Sequence, residues 1–287
     1  MYQTASDFLY GRVLLMQEFS GSPRELACSI VRNRSLVAAL IRREVLGRYR
    51  GSMMGILWSF FNPVFMLAVY TFVFSVVFKA RWNSGSDSKT EFALVLFAGL
   101  LVFNLFSECL NRASGLVLAN INYVKKVVFP LEVLPWVSLG AALFHACVSL
   151  IVWLLTYCLF YGLPQPTLLL LPLVWLPLLM LTLGLSWALA SLGVYLRDVA
   201  QLVGLATTVL MFVSPIFYPS SALPSQYRIV LLLNPLSPII EMTRDVLFWG
   251  RLPDLTILGL YLLATALAAW LGFYMFQKTR KGFADVL

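Results

Sequence analysis

The stretch VLPWVSLGAALFHACVSLIVWLLTYCLFYGLPQPTLLLLPLVWLPLLMLTLGLSWALASLGVYL, Val133–Leu196, runs for 64 residues without a lysine, arginine, aspartate or glutamate. A bilayer core is crossed by roughly 20 apolar residues in a helix, so this run holds two crossings. Its one break is Gly162-Leu163-Pro164-Gln165-Pro166, because proline cannot continue a helix and restricts the residue before it. The rest of the chain has the same character. Of 287 residues, 60% are hydrophobic and 12% charged, with a mean hydropathy of +0.85. Soluble domains carry about 25% charged residues, so a water-soluble globule of this length could not cover its surface. The expected class is an all-α integral membrane protein.

Four more uncharged runs flank that stretch: Gly51–Phe78, Phe92–Ser107 continuing past Glu108, Val199–Tyr227 with breaks near Pro215 and Pro219, and Leu255–Gln277. Six transmembrane helices are therefore expected in a single domain over 1–287. Its parts are a cytoplasmic N-terminal region (1–54), a six-span region (55–277) and a cytoplasmic tail (278–287). Six spans place both termini on one side, and that side carries fifteen of the 21 Lys and Arg. Basic residues mark the cytoplasmic face, so both termini are expected there. The net charge of +8 is spread between uncharged runs rather than gathered into one stripe, which argues against nucleic acid. A cleaved leader is not expected, since Val13–Met16 is too short for its apolar region and Asp7 and Glu18 flank it.

Three segments between the spans carry further information. Ser35–Arg50 reads as a helix with Leu36, Val37, Leu40, Ile41 and Val45 towards one side and Arg42, Arg43, Arg48 and Arg50 among them. Two readings stand: an interfacial helix with arginines towards lipid phosphates, or a solvated basic flank. Asn111–Leu134 mixes aromatic, apolar and basic residues, as a short docking helix would. Ser220–Asp254 is long for an outward connection. Its Ile229–Leu233 and its Leu236, Ile239, Ile240, Thr243 and Leu247 suit two short helices dipping back into the membrane, with Glu241, Arg244 and Asp245 on the remaining faces.

Chemistry is sparse. No G-x-x-x-x-G-K-[ST] loop is present to cradle ATP phosphates, and Lys89-Thr90 follows Ser88 rather than glycine. The spans lack the ionisable chains of ion-coupled transport, and no nucleophile, base and orienting acid can converge. His145 is expected to hydrogen-bond a neighbouring helix. Cys28, Cys109, Cys147 and Cys158 show no metal spacing and read as small buried hydrophobes. Aromatic residues do populate the first and fifth spans, among them Trp58, Phe61, Tyr70, Phe74, Phe212, Phe217 and Tyr218. Such rings either face lipid or line a conduit in which they stack on sugars.

The run from Arg48 to Pro63, RYRGSMMGILWSFFNP, closely resembles the start of the first span in membrane subunits of bacterial polysaccharide ATP-binding-cassette exporters, a type-2 family. Three further matches follow in order: Asn122–Lys126 with Phe129-Pro130 and Pro135, then Tyr195-Leu196-Arg197-Asp198, then Ser214–Tyr218 with Asn234-Pro235. The resemblance covers roughly residues 30–280. It implies a homodimer of six-span permeases, each joined to a cytoplasmic ATPase subunit that binds the ATP and magnesium, with no cofactor on this chain. Arg42, Arg43, Tyr123, Lys125, Lys126, Arg197 and Asp198 would contact that subunit. Arg48 and Arg50 would meet a lipid-diphosphate-linked polysaccharide at the cytoplasmic entrance, unless they only set topology. The rings named above in the first and fifth spans would line its path across the bacterial inner membrane. A drug or small-lipid exporter, a membrane enzyme of glycan assembly and a passive channel are the competing readings.

Overall fold

The computed structural model describes residues 20–77, 82, 89–125 and 129–287. Every regular element among them is helical. Helix α1, Pro23–Arg32, begins on Ser22, whose hydroxyl accepts from the Glu25 N–H at 3.2 Å, with Pro23 in the first turn. That start combines an N-cap, a tolerated proline and an acid near the positive helix end. Helix α2, Arg34–Arg48, buries Val37, Leu40 and Val45. Val37 and Leu40 pack with Val133 and Val137, so part of its apolar side is covered by protein rather than lipid.

The long helices follow: α3 (Trp58–Tyr70, continued by a wide π turn over Thr71–Val77) and α4 (Lys89–Ala113). After the short α5 (Ile121–Lys125) come α6 (Leu134–Tyr161), α7 (Leu171–Tyr195) and α8 (Val199–Val213). Then come α9 (Arg228–Leu233), α10 (Ser237–Arg244), α11 (Leu255–Thr279) and the terminal turn α12 (Phe283–Val286). Among the described residues, five stretches are long and apolar enough to cross a membrane: Gly55–Phe74, Thr90–Ala113, Leu131–Tyr161, Pro166–Tyr195 and Leu255–Val286. The α4 stretch is the hub, with 83% of its apolar window buried within the chain. Trp153 on α6 donates its indole N–H to the Leu94 carbonyl of α4 at 2.9 Å. Helices α7 and α11 touch backbone to backbone at Gly184 and Gly272, as small residues allow in apolar surroundings.

The fifth expected run is shorter than its uncharged length. Helix α8 has 15 residues, roughly 22 Å at 1.5 Å per residue, and stops because Ser214 precedes Pro215. Ser214 is extended, with ψ 146°, as a residue before proline prefers. Beyond it, α9 and α10 are the two short helices expected, and Leu236, Ile239, Ile240, Thr243 and Leu247 are all fully buried. A π turn over Asp245–Trp249 follows α10 and ends at Gly250, whose φ of 66° is left-handed. One placement is corrected: Arg244, expected on a face left over by those apolar residues, is buried with them at 1% exposure. The cysteine expectation is also corrected, since only Cys109 is buried and Cys28, Cys147 and Cys158 lie on the surface of the chain.

Candidate functional site

The basic segments meet at one end of the helices. There α2 is tied to α4 by Arg48, which donates to the Glu108 carboxylate, and by Glu44, which accepts from Arg112. The connection after α2 reaches α6 through a 3.3 Å hydrogen bond between the Tyr49 hydroxyl and His145 Nδ1, which gives His145 its inter-element partner. The two ion pairs are about one-third exposed, so each contributes about 0–1 kcal/mol and serves mainly to fix position. Arg48→Glu should lower the thermal midpoint of the purified protein by about 2–4 °C. The charge swap Arg48→Glu/Glu108→Arg should recover at least half of the loss. No recovery would mean that the pair does not hold α2. Arg42, Arg43 and Arg50 are exposed.

Below α2 lies a half-open cavity of about 510 Å³, bordered by Arg43, Arg112, Asn120, Tyr123 and Ser138. Tyr123 on α5 stacks on Phe129, with ring centroids 4.3 Å apart. Lys125 ends α5, and Lys126 lies outside the described residues. The same loop is braced from the C-terminus. Arg280 donates to Glu132 Oε2 at 2.5 Å and to the Phe129 carbonyl at 2.7 Å, while the Trp187 indole holds the Glu132 carbonyl at 3.1 Å. Phe283 of α12 is fully buried against Phe276 and Tyr195. Arg197 and Asp198 are exposed just beyond Tyr195. Helix α2, the loop, the turn at 197–198 and the tail therefore share one end.

The rings form two groups. Trp58 is 44% exposed, and the half-buried Phe61 lies near it on the first turns of α3. Tyr70, Phe74, Phe212 and Phe217 meet at the other end. Phe217 stacks on Phe74 at 5.5 Å and 19°, and Phe212 and Tyr70 lie at 6.1 and 6.3 Å from those rings. Tyr218 donates its hydroxyl to the Val213 carbonyl at 2.8 Å.

Arg244 is buried beside the break that carries Phe217 and Tyr218. It donates Nε to Val95 O at 2.9 Å, Nη1 to Pro215 O at 2.5 Å and Nη2 to Ile216 O at 2.8 Å. Its guanidinium is a cation at neutral pH, as arginine is throughout proteins. The sequence reading overlooked three features. Helix α1 had a legible signal in Ser22-Pro23-Arg24-Glu25, a capping-box pattern. The Glu132–Arg280 pair and the Arg244 contacts had none, since each joins residues far apart in the chain.

Residues 35–248 match the signature of the ABC-2 type transporter family. The chain belongs to that family. Among proteins it is similar to is the O-antigen export system permease protein RfbA of Myxococcus xanthus, 30% identical over 254 residues, covering 88% of this chain and 95% of the relative. A permease of the same name from Klebsiella pneumoniae is 26% identical over 255 residues, with the same coverage. The polysialic acid transport protein KpsM of Escherichia coli is 25% identical over 244 residues, 84% of this chain and 92% of the relative. The family match, with the five apolar helices, makes the chain a multi-pass membrane protein with a transporter role. The resemblance read from the residues is borne out.

Proposed function

We propose that this chain is the permease subunit of an ATP-driven exporter that moves lipid-linked polysaccharide, O-antigen by preference, across the bacterial inner membrane. The similarity to the O-antigen permease over 88% of the chain carries the reading. In it, α8 and its extended continuation make the sixth crossing, α9 and α10 re-enter the membrane from outside, and both termini are cytoplasmic. Two copies pair, which would cover the exposed stripes on α3 and its π continuation (Phe65, Phe72) and on α8 (Leu205, Phe212). Each copy binds one cytoplasmic ATPase subunit, and that subunit holds the ATP and magnesium.

The proposed docking surface is made of Arg42, Arg43, Tyr123, Lys125, Lys126, Arg197 and Asp198. Closure of the ATPase subunits on ATP would press on α5, and Arg280 would pass the motion to α11, whose end it follows. Arg48 is already paired with Glu108, so exposed Arg50 is the freer of the two to meet the substrate diphosphate through its guanidinium fork. Trp58 and Phe61 would then stand near the entrance, and Tyr70, Phe74, Phe212, Phe217 and Tyr218 near the exit.

Co-purification with the ATPase encoded beside this chain, followed by hydrolysis assays in lipid nanodiscs, tests the proposal. A stable complex that responds to lipid-linked glycan is expected, and Lys125→Glu/Lys126→Glu should abolish assembly. Arg50→Ala should lower surface polysaccharide while insertion stays intact; unchanged export would remove Arg50 from the entrance. Stimulation by small lipids or drugs in place of glycan would move the substrate class. Failure to pair with any ATPase would overturn active export.

A further inference from the structure

Among the described residues, Arg244 is a cation with a side chain only 1% exposed, and neither the docking surface nor the row of rings uses it. We propose that Arg244 is the positioning residue of the outer gate, holding α10 seated against α4 and against the break after α8 so that the mouth is shut at rest. The inference rests on the export reading for what the mouth conducts, but not for the contacts that close it.

Pro215 and Ile216 lie beyond the last turn of α8 and are fully enclosed. Their carbonyls have left the helical ladder, and at membrane depth such groups must find donors inside the protein. Arg244 supplies both, and its Nε takes a third carbonyl, Val95 O, from α4. A planar guanidinium with five N–H groups can serve three acceptors from two segments at once. A lysine ammonium is a compact point donor on a flexible stem and cannot span them.

The surroundings are shaped for this group. Gly99 lies one turn along α4 from Val95, and a Cβ there would come 2.8 Å from Arg244 Nη2 and 3.4 Å from Ile240. The guanidinium therefore occupies space that the missing side chain leaves. The Trp82 ring covers it, 4.3 Å from Cζ, and the Glu241 carboxylate stands 3.7 Å from Nη1.

Three further ties hold the same segment, one to the break and two to α7 and the turn before it. Asn234 Nδ2 donates to Ser214 Oγ at 2.8 Å, the Trp175 indole donates to Thr243 Oγ1 at 3.2 Å, and Thr167 donates to the Val246 carbonyl at 2.7 Å. The contact with the continuation of α3 is of another kind, with Phe74 stacked between Phe92 and Phe217. Stacked rings slip without stranding a polar group, whereas withdrawing Arg244 leaves the Pro215 and Ile216 carbonyls unpaired and Val95 O with its helical bond alone. Helix α10 therefore stays with α4 and the break while Arg244 is in place.

The test uses the full complex in proteoliposomes loaded with a small anionic dye, without nucleotide or polysaccharide. Wild-type vesicles should retain the dye. Arg244→Lys keeps the charge but loses the fork, and should raise leakage on the order of tenfold through a shift towards the open mouth. Gly99→Ala leaves Arg244 in place and displaces its head, and should leak in the same sense with assembly and thermal midpoint near wild type. A purely structural role would change the midpoint and not the leak. Dye-tight vesicles with Gly99→Ala, or with an assembled Arg244→Lys complex, would overturn the proposal. If Arg244→Lys does not assemble, Gly99→Ala alone decides. Leaky variants in a protein that exports no glycan would keep the gate and remove the exporter reading.

Discussion

Arg280→Met is expected to destabilise the protein by about 3–5 kcal/mol, because removing one partner of a buried ion pair strands the other charge. Glu132 is 5% exposed and Arg280 11%, so the carboxylate left behind has little access to water. The Phe129 carbonyl loses its donor in the same change. The effect should appear as a large fall in the thermal midpoint in detergent. In any complex that survives, hydrolysis should no longer respond to substrate, because the loop is cut from α11. The double variant Glu132→Leu/Arg280→Met should regain most of the stability, since replacing both partners with apolar groups is often neutral. A single variant as stable as wild type would show that the pair is solvated and does not brace the loop.

Gly272→Val is expected to prevent stable accumulation in the membrane. A Cβ at Gly272 would lie 2.0 Å from the Gly184 carbonyl oxygen, and one at Gly184 would lie 2.5 Å from the Ala268 carbonyl oxygen. Both obstacles are backbone, so no rotamer change relieves them and α7 must part from α11. The cost should exceed the roughly 1–3 kcal/mol of ordinary overpacking. Gly259 lies on the same helix, where an added Cβ meets nothing within 4 Å. Gly259→Ala should therefore accumulate at wild-type level or above, as alanine favours helix by about 0.5–1 kcal/mol over glycine. Membrane yields by quantitative blotting separate the two. Equal yields for Gly272→Val and wild type would mean that these helices are not in close contact.

The gross architecture was legible because its signal is local. Uncharged runs set the helices, Pro164 and Pro166 set the break between α6 and α7, and Pro215 stops α8. Spacing alone marked Leu236, Ile239, Ile240, Thr243 and Leu247, all fully buried. The family was legible too, because its motifs are short and ordered along the chain. What spacing misread was Arg244. Helical periodicity sorts positions by face and then assumes that a charged residue seeks water, an assumption that fails where a broken backbone supplies carbonyls. The cysteines failed for a related reason: in a membrane protein, an apolar environment is not the same as a protein interior.

By itself the sequence determined that the chain is helical and membrane-embedded, where its helices break, and which family it belongs to. These properties depend on local composition and on motifs contiguous in the chain. The tertiary structure decided that Arg48 is answered by Glu108, that Arg280 holds Glu132 and the Phe129 carbonyl, and that Gly99 makes room for Arg244. Those pairs lie 60, 148 and 145 positions apart. Their energy arises only when folding removes both partners from solvent together, and no periodicity along the chain records that.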